Sequence, residues 1–206
     1  MNDEIILVNE QDDVIGYAEK MYVHENKLLH RAFSIFIFDW TTKKLLLQKR
    51  ASGKYHSGGL WTNACCSHPR KNETMEDCLN IRLKEELGME THFRIVNPEE
   101  CELLFHGTDV IYSCGKFSYF ASFGDVCENE IDHVYLYSPV EDMLDLASIV
   151  YNKEEAEALT WVTIAELRAW MEREPEAFTA WFRSAFALAY DVLCRQARDM
   201  GYILDV

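Results

Sequence analysis

Short apolar runs separated by polar turns fill most of the first two thirds of this 206-residue chain, and helical patterns fill the last third. Runs rich in β-branched and aromatic residues predict strands. These lie at residues 5–8, 14–19, 32–38, 45–50, 60–69, 103–105, 117–120 and 133–137. Apolar residues at three- and four-residue spacing predict helices at 73–87, 164–173 and 176–200. Gly88 and Thr163 stand where a C-cap and an N-cap are expected.

This order of elements predicts the fold class. A β-rich first part, one inserted helix and helices at the end favour an α+β protein, an αβα sandwich with a mixed sheet and C-terminal helices, over a doubly wound sheet. The length favours a single domain over residues 1–206. The polar segments 24–30 and 52–59 are predicted to be loops, and residues 138–152 form a connection without a predicted structure.

Residues 60–69 carry the first candidate chemistry. His68 precedes a proline, which biases it towards an extended backbone. Side chains two apart on an extended chain share a face, so Cys66 and His68 are expected on one side, with Cys65 and Ser67 on the other. A thiol beside an imidazole indicates catalysis or metal binding. Alone, however, such a pair is more often a core cysteine beside a hydrogen-bonded histidine.

Charge and cysteine content exclude several classes of partner. The formal net charge is −15, so the surface repels nucleic acids and anionic membranes. An anionic substrate therefore needs local Lys, Arg or metal charge. The seven cysteines are odd in number and irregularly spaced, and the first residues are acidic, unlike a signal peptide. We expect free thiols in the cytoplasm, and the apolar runs are too short to cross a membrane.

Candidate metal ligands come from separate segments. In an extended segment Glu128 and Glu130 share one face, and such close charges are costly unless a cation or proton lies between them. His24, His30 and His68 add imidazoles. This mixture suits a divalent ion such as Mg²⁺, Mn²⁺, Zn²⁺ or Fe²⁺. The spacing does not show that the five side chains meet. Each histidine alone is more often an ordinary surface or core residue than a ligand, and the two glutamates are equally compatible with exposed acids at the start of a strand.

The strings around these residues resemble the type I isopentenyl diphosphate isomerases, a family of the Nudix superfamily. The pattern W-T-N-x-x-C-x-H-P ends at residue 69, and E-N-E occupies residues 128–130. Other matching positions are 19–20, His24, 30–34, 50–51, Lys54, 82–88, Tyr119, Trp161 and 177–181. The resemblance covers about residues 5–185, and its two strings are specific because they occur in order and at fitting distances. It implies a Nudix-like fold.

The resemblance also implies an activity, the isomerisation of isopentenyl diphosphate to dimethylallyl diphosphate. The double bond moves because one carbon gains a proton and another loses one, through a tertiary carbocation. Cys66 and Glu130 would be the acid–base pair on opposite sides of the double bond. Tyr119 would hydrogen-bond near the glutamate and assist proton delivery.

A set of binding residues follows from the same resemblance. One divalent metal, Mg²⁺ or Mn²⁺ with Zn²⁺ as a third candidate, would be held by His24, His30, His68, Glu128 and Glu130. Glu86 would help to hold a second Mg²⁺ that arrives with the substrate. The diphosphate would be surrounded by Lys20, Arg50, Lys54 and Arg82, and Trp181 would close the pocket. We expect no organic cofactor, a small-molecule diphosphate as the partner, and a monomer or weak dimer.

Nudix hydrolases of nucleoside diphosphate derivatives are the main alternative. Their helix carries R-E-x-x-E-E-x-G, but here Ile81 and Arg82 occupy the first two positions, and Ser67 replaces the first glycine of the pattern. The hydrolytic metal site is therefore incomplete. Without the resemblance, the helix charges at Arg82, Glu85 and Glu86 would be read as a solvated face. A non-catalytic metal-binding module and a Cys–His thiol hydrolase are weaker alternatives.

Some segment lengths depart from those of the family that the chain resembles. Loop 24–30 and the interval from Tyr119 to Glu128 are each about one residue shorter. Residues 106–116 are longer than in a minimal bacterial member, and we expect them to pack on the outside of the fold.

Overall fold

One mixed sheet of ten strands organises the residues that the computed structural model describes, which are 3–99, 110–139, 149–202 and 204. The strands are β1 (Glu4–Val8), β2 (Val14–Glu19), β3 (His30–Asp39), β4 (Lys44–Arg50), β5 (Trp61–Thr62), β6 (Cys65–Ser67), β7 (Arg94–Val96), β8 (Val110–Phe123), β9 (Val126–Tyr137) and β10 (Ala156–Thr163). The helices are α1 (Lys20–Glu25), α2 (Met75–Leu87), α3 (Ile164–Arg173) and α4 (Phe182–Asp199).

Strand β3 lies at the centre of the sheet and brings distant segments together. It runs parallel to β9, with His30 opposite Glu130, and antiparallel to β6, with Ser34 opposite Cys66. It pairs with β4 at only two positions, next to the connecting turn. The strands β3 and β4 therefore diverge away from that turn, and their separated ends leave room for a cavity.

Apolar side chains cover both faces of this sheet. Phe36 and Phe38 pack with α3 and α4, whereas Phe33, Ile35 and Ile37 pack with α2 on the opposite side. Successive strand residues point to opposite faces, so a strand covered on both sides has a continuous apolar sequence. Residues 32–38 have this pattern except at Ser34, whose hydroxyl donates to Asp132. The predicted αβα sandwich and its α+β class are confirmed.

The predicted helix ends follow local chemistry. Helix α2 ends at Gly88, whose φ of 67° is the left-handed conformation that glycine adopts readily. Helix α3 begins with a capping box in which Thr163 and Glu166 exchange side-chain and backbone hydrogen bonds. Both caps are as predicted.

The last predicted helix begins later than its sequence pattern indicates. Residues Pro175–Ala177 form a short 3₁₀ turn, and α4 starts only at Phe182. Between them Phe178 is extended and bridges to Trp61, and the Thr179 amide donates to the Trp61 carbonyl at 3.0 Å. These contacts with β5 satisfy backbone groups that a helix would otherwise pair internally, so the prediction of a helix over 176–200 is wrong at its start.

Two other predicted segments differ from the structure. The predicted loop 24–30 begins in helix α1, which starts at Lys20 and holds His24 in its last turn, while His30 is already the first residue of β3. The predicted strand 60–69 is two short strands, β5 on β4 and β6 on β3. Asn63 lies at the break, where its side-chain amide donates to the Ile35 and Cys65 carbonyls.

The remaining differences concern the middle of the chain. The predicted strand 103–105 lies outside the described residues, as do 106–109 and 140–148. Residues 110–116 belong to β8, and Val110, Ile111 and Tyr112 are buried. The expectation that 106–116 packs on the outside is therefore wrong for 110–112, because their apolar side chains face the two cores. Among the described residues, no helix has the length and apolar character needed to cross a membrane.

Candidate active site and metal centre

A polar cavity of about 190 Å³ opens where β3 and β4 diverge. It is lined by eleven of the predicted site residues: Lys20, Arg50, Lys54, Cys66, His68, Arg82, Glu86, Tyr119, Glu128, Glu130 and Trp181. The two remaining predicted residues, His24 and His30, are fully buried beside it. The fold thus brings side chains from seven elements to one place.

The five predicted metal ligands form one buried cluster. Each of His24, His30, His68, Glu128 and Glu130 offers a ligand atom, and these atoms all lie within 4.8 Å of one another. The parallel pairing of β3 with β9 places His30 Nε2 3.2 Å from Glu130 Oε1, and His68 Nε2 lies 2.8 Å from the same oxygen. Glu86 lies in the same cavity but outside this cluster.

The histidine tautomers in this cluster favour a cation. His24 Nδ1 lies 2.7 Å from the Lys20 carbonyl, and His30 Nδ1 lies 2.9 Å from the Leu28 carbonyl. A carbonyl only accepts, so each Nδ1 carries the proton, and in the neutral ring Nε2 is left with its lone pair. A lone pair facing the Glu130 carboxylate is favourable only with a positive charge between them. The donor set therefore fits a divalent metal.

The pKa values of His30 and His68 are shifted in opposite directions. Burial lowers the His30 pKa, but the hydrogen bond to Glu130, the charges of Glu130 and Glu128 and the Leu28 carbonyl together outweigh burial and raise it, so without a metal a proton can supply the positive charge beside Glu130. Burial, reinforced by the charge of Lys20, lowers the pKa of His68 well below its ordinary range. A neutral His68 ring has the lone pair that metal binding requires.

Tyr119 and Glu130 form a short hydrogen bond. Strands β8 and β9 place these residues opposite each other, and the Tyr119 hydroxyl donates to Glu130 Oε2 at 2.6 Å, with Glu128 Oε2 at 3.1 Å. Burial and the charge of Glu130 raise the Tyr119 pKa well above its ordinary range, so the hydroxyl stays protonated. Burial alone would raise the pKa of Glu130, but hydrogen bonds with Glu128, His30 and Tyr119 lower it to about 2.

Cys66 presents its thiol to the cavity, whereas the neighbouring Cys65 is fully buried in the core beneath α2. The Cys66 thiol donates to Asn63 Oδ1 at 3.3 Å, and the Trp181 indole donates to the same oxygen at 3.3 Å. Burial raises the Cys66 pKa to about 12, although Arg50 works in the opposite direction. The thiol is therefore neutral near pH 7. The opposite orientation of the two cysteines agrees with the alternation expected from the sequence.

Basic side chains gather at the cavity wall, and their present partners are acidic or aromatic. Lys54 forms an ion pair with Glu155, and Arg82 Nη1 lies 2.6 Å from Glu85 Oε2. The Arg50 guanidinium stands 5.5 Å from the centre of the Trp181 ring. Arg82 thus faces the cavity rather than forming only a solvated helix face.

Two ionisable side chains at this wall, Glu86 and Lys20, are buried enough to have shifted pKa values. Burial, with repulsion from Glu155, raises the pKa of Glu86 to about 7. Burial lowers the pKa of Lys20. A diphosphate that binds here would meet positive charge, while the buried Glu86 carboxyl would gain from a cation beside it.

Among the cavity residues that were not predicted from the sequence, three carry carboxylate or imidazole groups close to the predicted site residues. Asp132 is buried, continues the alternation of Glu128 and Glu130, and accepts a hydrogen bond from Ser34 at 2.8 Å. The two-residue period along β9 could have identified it. Glu155 and His56 carry no comparable signal, because each lies in a turn or loop whose position depends on the fold.

Comparison with known proteins places this geometry in a family. The NUDIX domain model matches residues 28–182. A crystal structure of DR0079 from Deinococcus radiodurans has a similar fold, with a TM-score of 0.57 at 17% identity over 82% of this chain and 89% of that chain. The MutT protein from Methanosarcina mazei Go1 superposes with a TM-score of 0.52 at 15% identity, covering 84% of this chain and 95% of the other. The chain is therefore a Nudix-superfamily protein.

More similar relatives define the family within that superfamily. Isopentenyl-diphosphate Delta-isomerase 2 of Aromatoleum aromaticum is 39% identical over 98% of this chain and 93% of its own length. Isopentenyl-diphosphate Delta-isomerase 1 of the same organism is 41% identical over 95% and 96%, and the isomerase of Burkholderia multivorans is 40% identical over 88% and 90%. The chain belongs to the isopentenyl-diphosphate Delta-isomerase family.

Proposed function

We propose that the protein converts isopentenyl diphosphate to dimethylallyl diphosphate. The observation that carries this proposal is the pair of opposite proton carriers in one cavity, the protonated Cys66 thiol and the ionised Glu130 carboxylate. Moving a double bond by one carbon requires both a proton donor and a proton acceptor. Family membership supports the same reaction.

The reaction is balanced in protons. One member of the Cys66–Glu130 pair adds a proton to the terminal carbon of the double bond, which leaves a tertiary carbocation. The other removes a proton from the carbon on the diphosphate side, and the new double bond forms there. The Tyr119 hydroxyl, which donates to Glu130, keeps the carboxylate oriented and can relay its proton.

The cavity also supports the carbocation. The Trp181 ring is buried and its indole N–H is held by Asn63. An aromatic face beside a cation stabilises it by about 0.5–2 kcal/mol. Exclusion of water by the bound hydrocarbon protects the cation from capture.

A divalent metal in the cluster of His24, His30, His68, Glu128 and Glu130 belongs to this proposal. The fit rests on the Nε2 lone pairs and carboxylates that converge there. When bound, the metal supplies the positive charge that keeps two buried carboxylates ionised side by side. Mg²⁺ and Mn²⁺ are the proposed ions, with Zn²⁺ as the third candidate, and no organic cofactor is required.

The basic wall explains how a chain of net charge −15 binds a diphosphate. Lys20, Arg50, Lys54 and Arg82 would replace their present acidic or aromatic partners by phosphate oxygens. Glu86 would help to hold an Mg²⁺ that enters with the substrate. We further propose one isomerase domain over residues 1–206, a cytoplasmic location, a monomer or weak dimer, and no nucleic-acid or membrane partner.

The direct test is incubation with isopentenyl diphosphate and Mg²⁺ in deuterated water. Dimethylallyl diphosphate that carries deuterium is the expected product, since the added proton comes from a group that exchanges with solvent. Absence of this product, together with release of phosphate or nucleoside monophosphate from a panel of nucleotides, would replace the proposal with a Nudix hydrolase.

A further inference from the structure

One side-chain oxygen connects two groups of the cavity that would act on the double bond. Asn63 Oδ1 accepts hydrogen bonds from the Cys66 thiol at 3.3 Å and from the Trp181 indole N–H at 3.3 Å. It also accepts from the Thr62 hydroxyl at 2.9 Å. Cys66 belongs to β6, whereas Trp181 lies directly before α4, 118 residues after Asn63 in the chain. The thiol and the aromatic ring therefore share a single acceptor.

The orientation of the Asn63 amide is fixed by its nitrogen. Asn63 Nδ2 donates to the Ile35 carbonyl at 3.2 Å and to the Cys65 carbonyl at 2.7 Å. A carbonyl only accepts, so the nitrogen must face these two groups and the oxygen must face the three donors. Asn63 is fully buried, and the strands on either side of it, β5 and β6, are paired with β4 and β3. Its oxygen is therefore a fixed point in the cavity wall.

A shared acceptor at this point controls the distance between the thiol and the ring. The hydrocarbon of the substrate must lie beside both groups, because Cys66 would exchange a proton with one of its carbons and Trp181 would stabilise the resulting cation. A displacement of a reacting group by about 1 Å can cost about 100-fold in rate. Hydrogen bonds to a fixed oxygen restrict both the rotamer of the thiol and the tilt of the indole ring.

We propose that Asn63 is a positioning residue whose side-chain oxygen sets the placement of the Cys66 thiol relative to the Trp181 ring during isomerisation. The inference rests on the proposed function, since it assigns a role in that reaction. Most of the basic side chains that would bind the diphosphate lie on α1, loop 52–59 and α2, outside this hydrogen-bond network. Loss of the Asn63 oxygen should therefore act on kcat more than on KM.

Two substitutions and a control separate this role from a general contribution to folding. Asn63→Ala removes both the oxygen and the amide nitrogen, whereas Asn63→Asp keeps an acceptor oxygen and loses the amide. Thr179→Val is the control, because it removes a buried hydroxyl that donates to Thr62 Oγ1 at 3.1 Å and leaves the Asn63 oxygen in place. Steady-state kinetics with isopentenyl diphosphate and urea unfolding are measured for each variant of the full chain.

The expected results differ between turnover and stability. We expect kcat to fall by about 100-fold in Asn63→Ala, with little change in KM. Asn63→Asp should retain more of kcat, although its carboxyl faces the Ile35 and Cys65 carbonyls and lowers its stability. Thr179→Val should lose stability and keep kcat. Wild-type kcat in Asn63→Ala, equal losses of kcat in the two Asn63 variants, or a kcat that follows stability across all three variants would overturn the proposal.

A measurement on the wild-type chain keeps the test decisive if Asn63→Ala fails to fold. The infrared S–H stretching band of Cys66 is identified as the band that is missing in Cys66→Ala. Hydrogen bonding lowers this stretching frequency, so the Cys66 band should lie below that of an unbonded thiol. A band at the unbonded frequency would overturn the inference. Absence of wild-type turnover would instead refute the proposed function, so the two failures give different results.

Discussion

The Tyr119 hydroxyl lies 2.6 Å from Glu130 Oε2, while the other oxygen of the same carboxylate lies 2.8 Å from His68 Nε2. Glu130 thus makes two kinds of contact, a short hydrogen bond from the Tyr119 hydroxyl on one oxygen and a contact with the buried histidine cluster on the other. The antiparallel register of β8 with β9 sets this arrangement, because it places Tyr119 directly opposite Glu130.

Replacing Tyr119 by Phe tests the hydrogen-bonded side of Glu130. The ring and its packing remain, but the carboxylate loses its 2.6 Å donor. We expect kcat to fall by about 10- to 100-fold with little change in KM, because the diphosphate contacts are not altered. Tyr17→Phe, at an exposed position on β2, is the matched control. Steady-state kinetics with unchanged kcat in Tyr119→Phe would contradict this role.

Replacing the two adjacent cysteines one at a time should affect different properties, turnover for Cys66 and stability for Cys65. Cys66→Ala removes the thiol that faces the cavity, so we expect turnover to be lost while the far-ultraviolet circular dichroism is retained. Cys65→Ala removes a fully buried side chain beneath α2. It should lower the free energy of unfolding by about 1 kcal/mol and retain turnover. Wild-type turnover in Cys66→Ala would rule out the proposed acid–base pair.

Two glycines of loop 52–59, which carries Lys54 and His56, should differ in how well they tolerate replacement by alanine. A Cβ at Gly58 would lie 2.6 Å from the Ser52 carbonyl oxygen, whereas one at Gly53 would meet nothing within 4 Å. We expect Gly58→Ala to cost about 1–3 kcal/mol of stability and to raise KM for the diphosphate. Gly53→Ala is the control and should change neither quantity appreciably. Equal thermal melting curves for the two variants would show that the loop relieves the clash.

The carboxylate of Asp12, which does not line the cavity, should contribute to stability. The side chain of Asp12 is largely buried and lies 2.8 Å from Arg31 Nε, Lys116 Nζ and His133 Nε2. Burial alone would raise the pKa of Asp12, but hydrogen bonds from Lys116 and Arg31 lower it. Asp12→Asn keeps a residue that tolerates the positive φ of 71° and should cost about 2 kcal/mol at pH 7.

The sign of the pH dependence follows from the lowered pKa of Asp12. A carboxylate with a lower pKa in the folded chain stabilises the fold above its unfolded pKa, about 4. That stabilisation is lost as the pH falls through the folded pKa. The difference in unfolding free energy between wild type and Asp12→Asn, measured by urea unfolding, should therefore be full at pH 7, begin to shrink below pH about 4 and vanish below the folded pKa. A difference that stays constant with pH would show that the charge of Asp12 is not its source.

Local sequence pattern by itself determined much of this protein. The run of aromatic and β-branched residues at 32–38 predicted a strand, Gly88 and Thr163 predicted two helix caps, and a period of two placed Glu128 and Glu130 on one face. These features depend on neighbours in the chain, so the sequence carries them directly. The resemblance in the strings that end at Pro69 and Glu130 indicated which family to expect.

Only the tertiary structure decided which side chains meet. Pairing of β3 with β9, a hundred residues apart in sequence, brings His30 to Glu130. The bridge between Phe178 and β5 also moves the start of α4 to Phe182, although the residues before Phe182 have a helical sequence pattern. His56 reaches Glu128 from a loop whose sequence has no periodicity, because the contact depends on how that loop folds back over the sheet. Local periodicity cannot encode contacts of this kind, since they are selected by packing between distant segments.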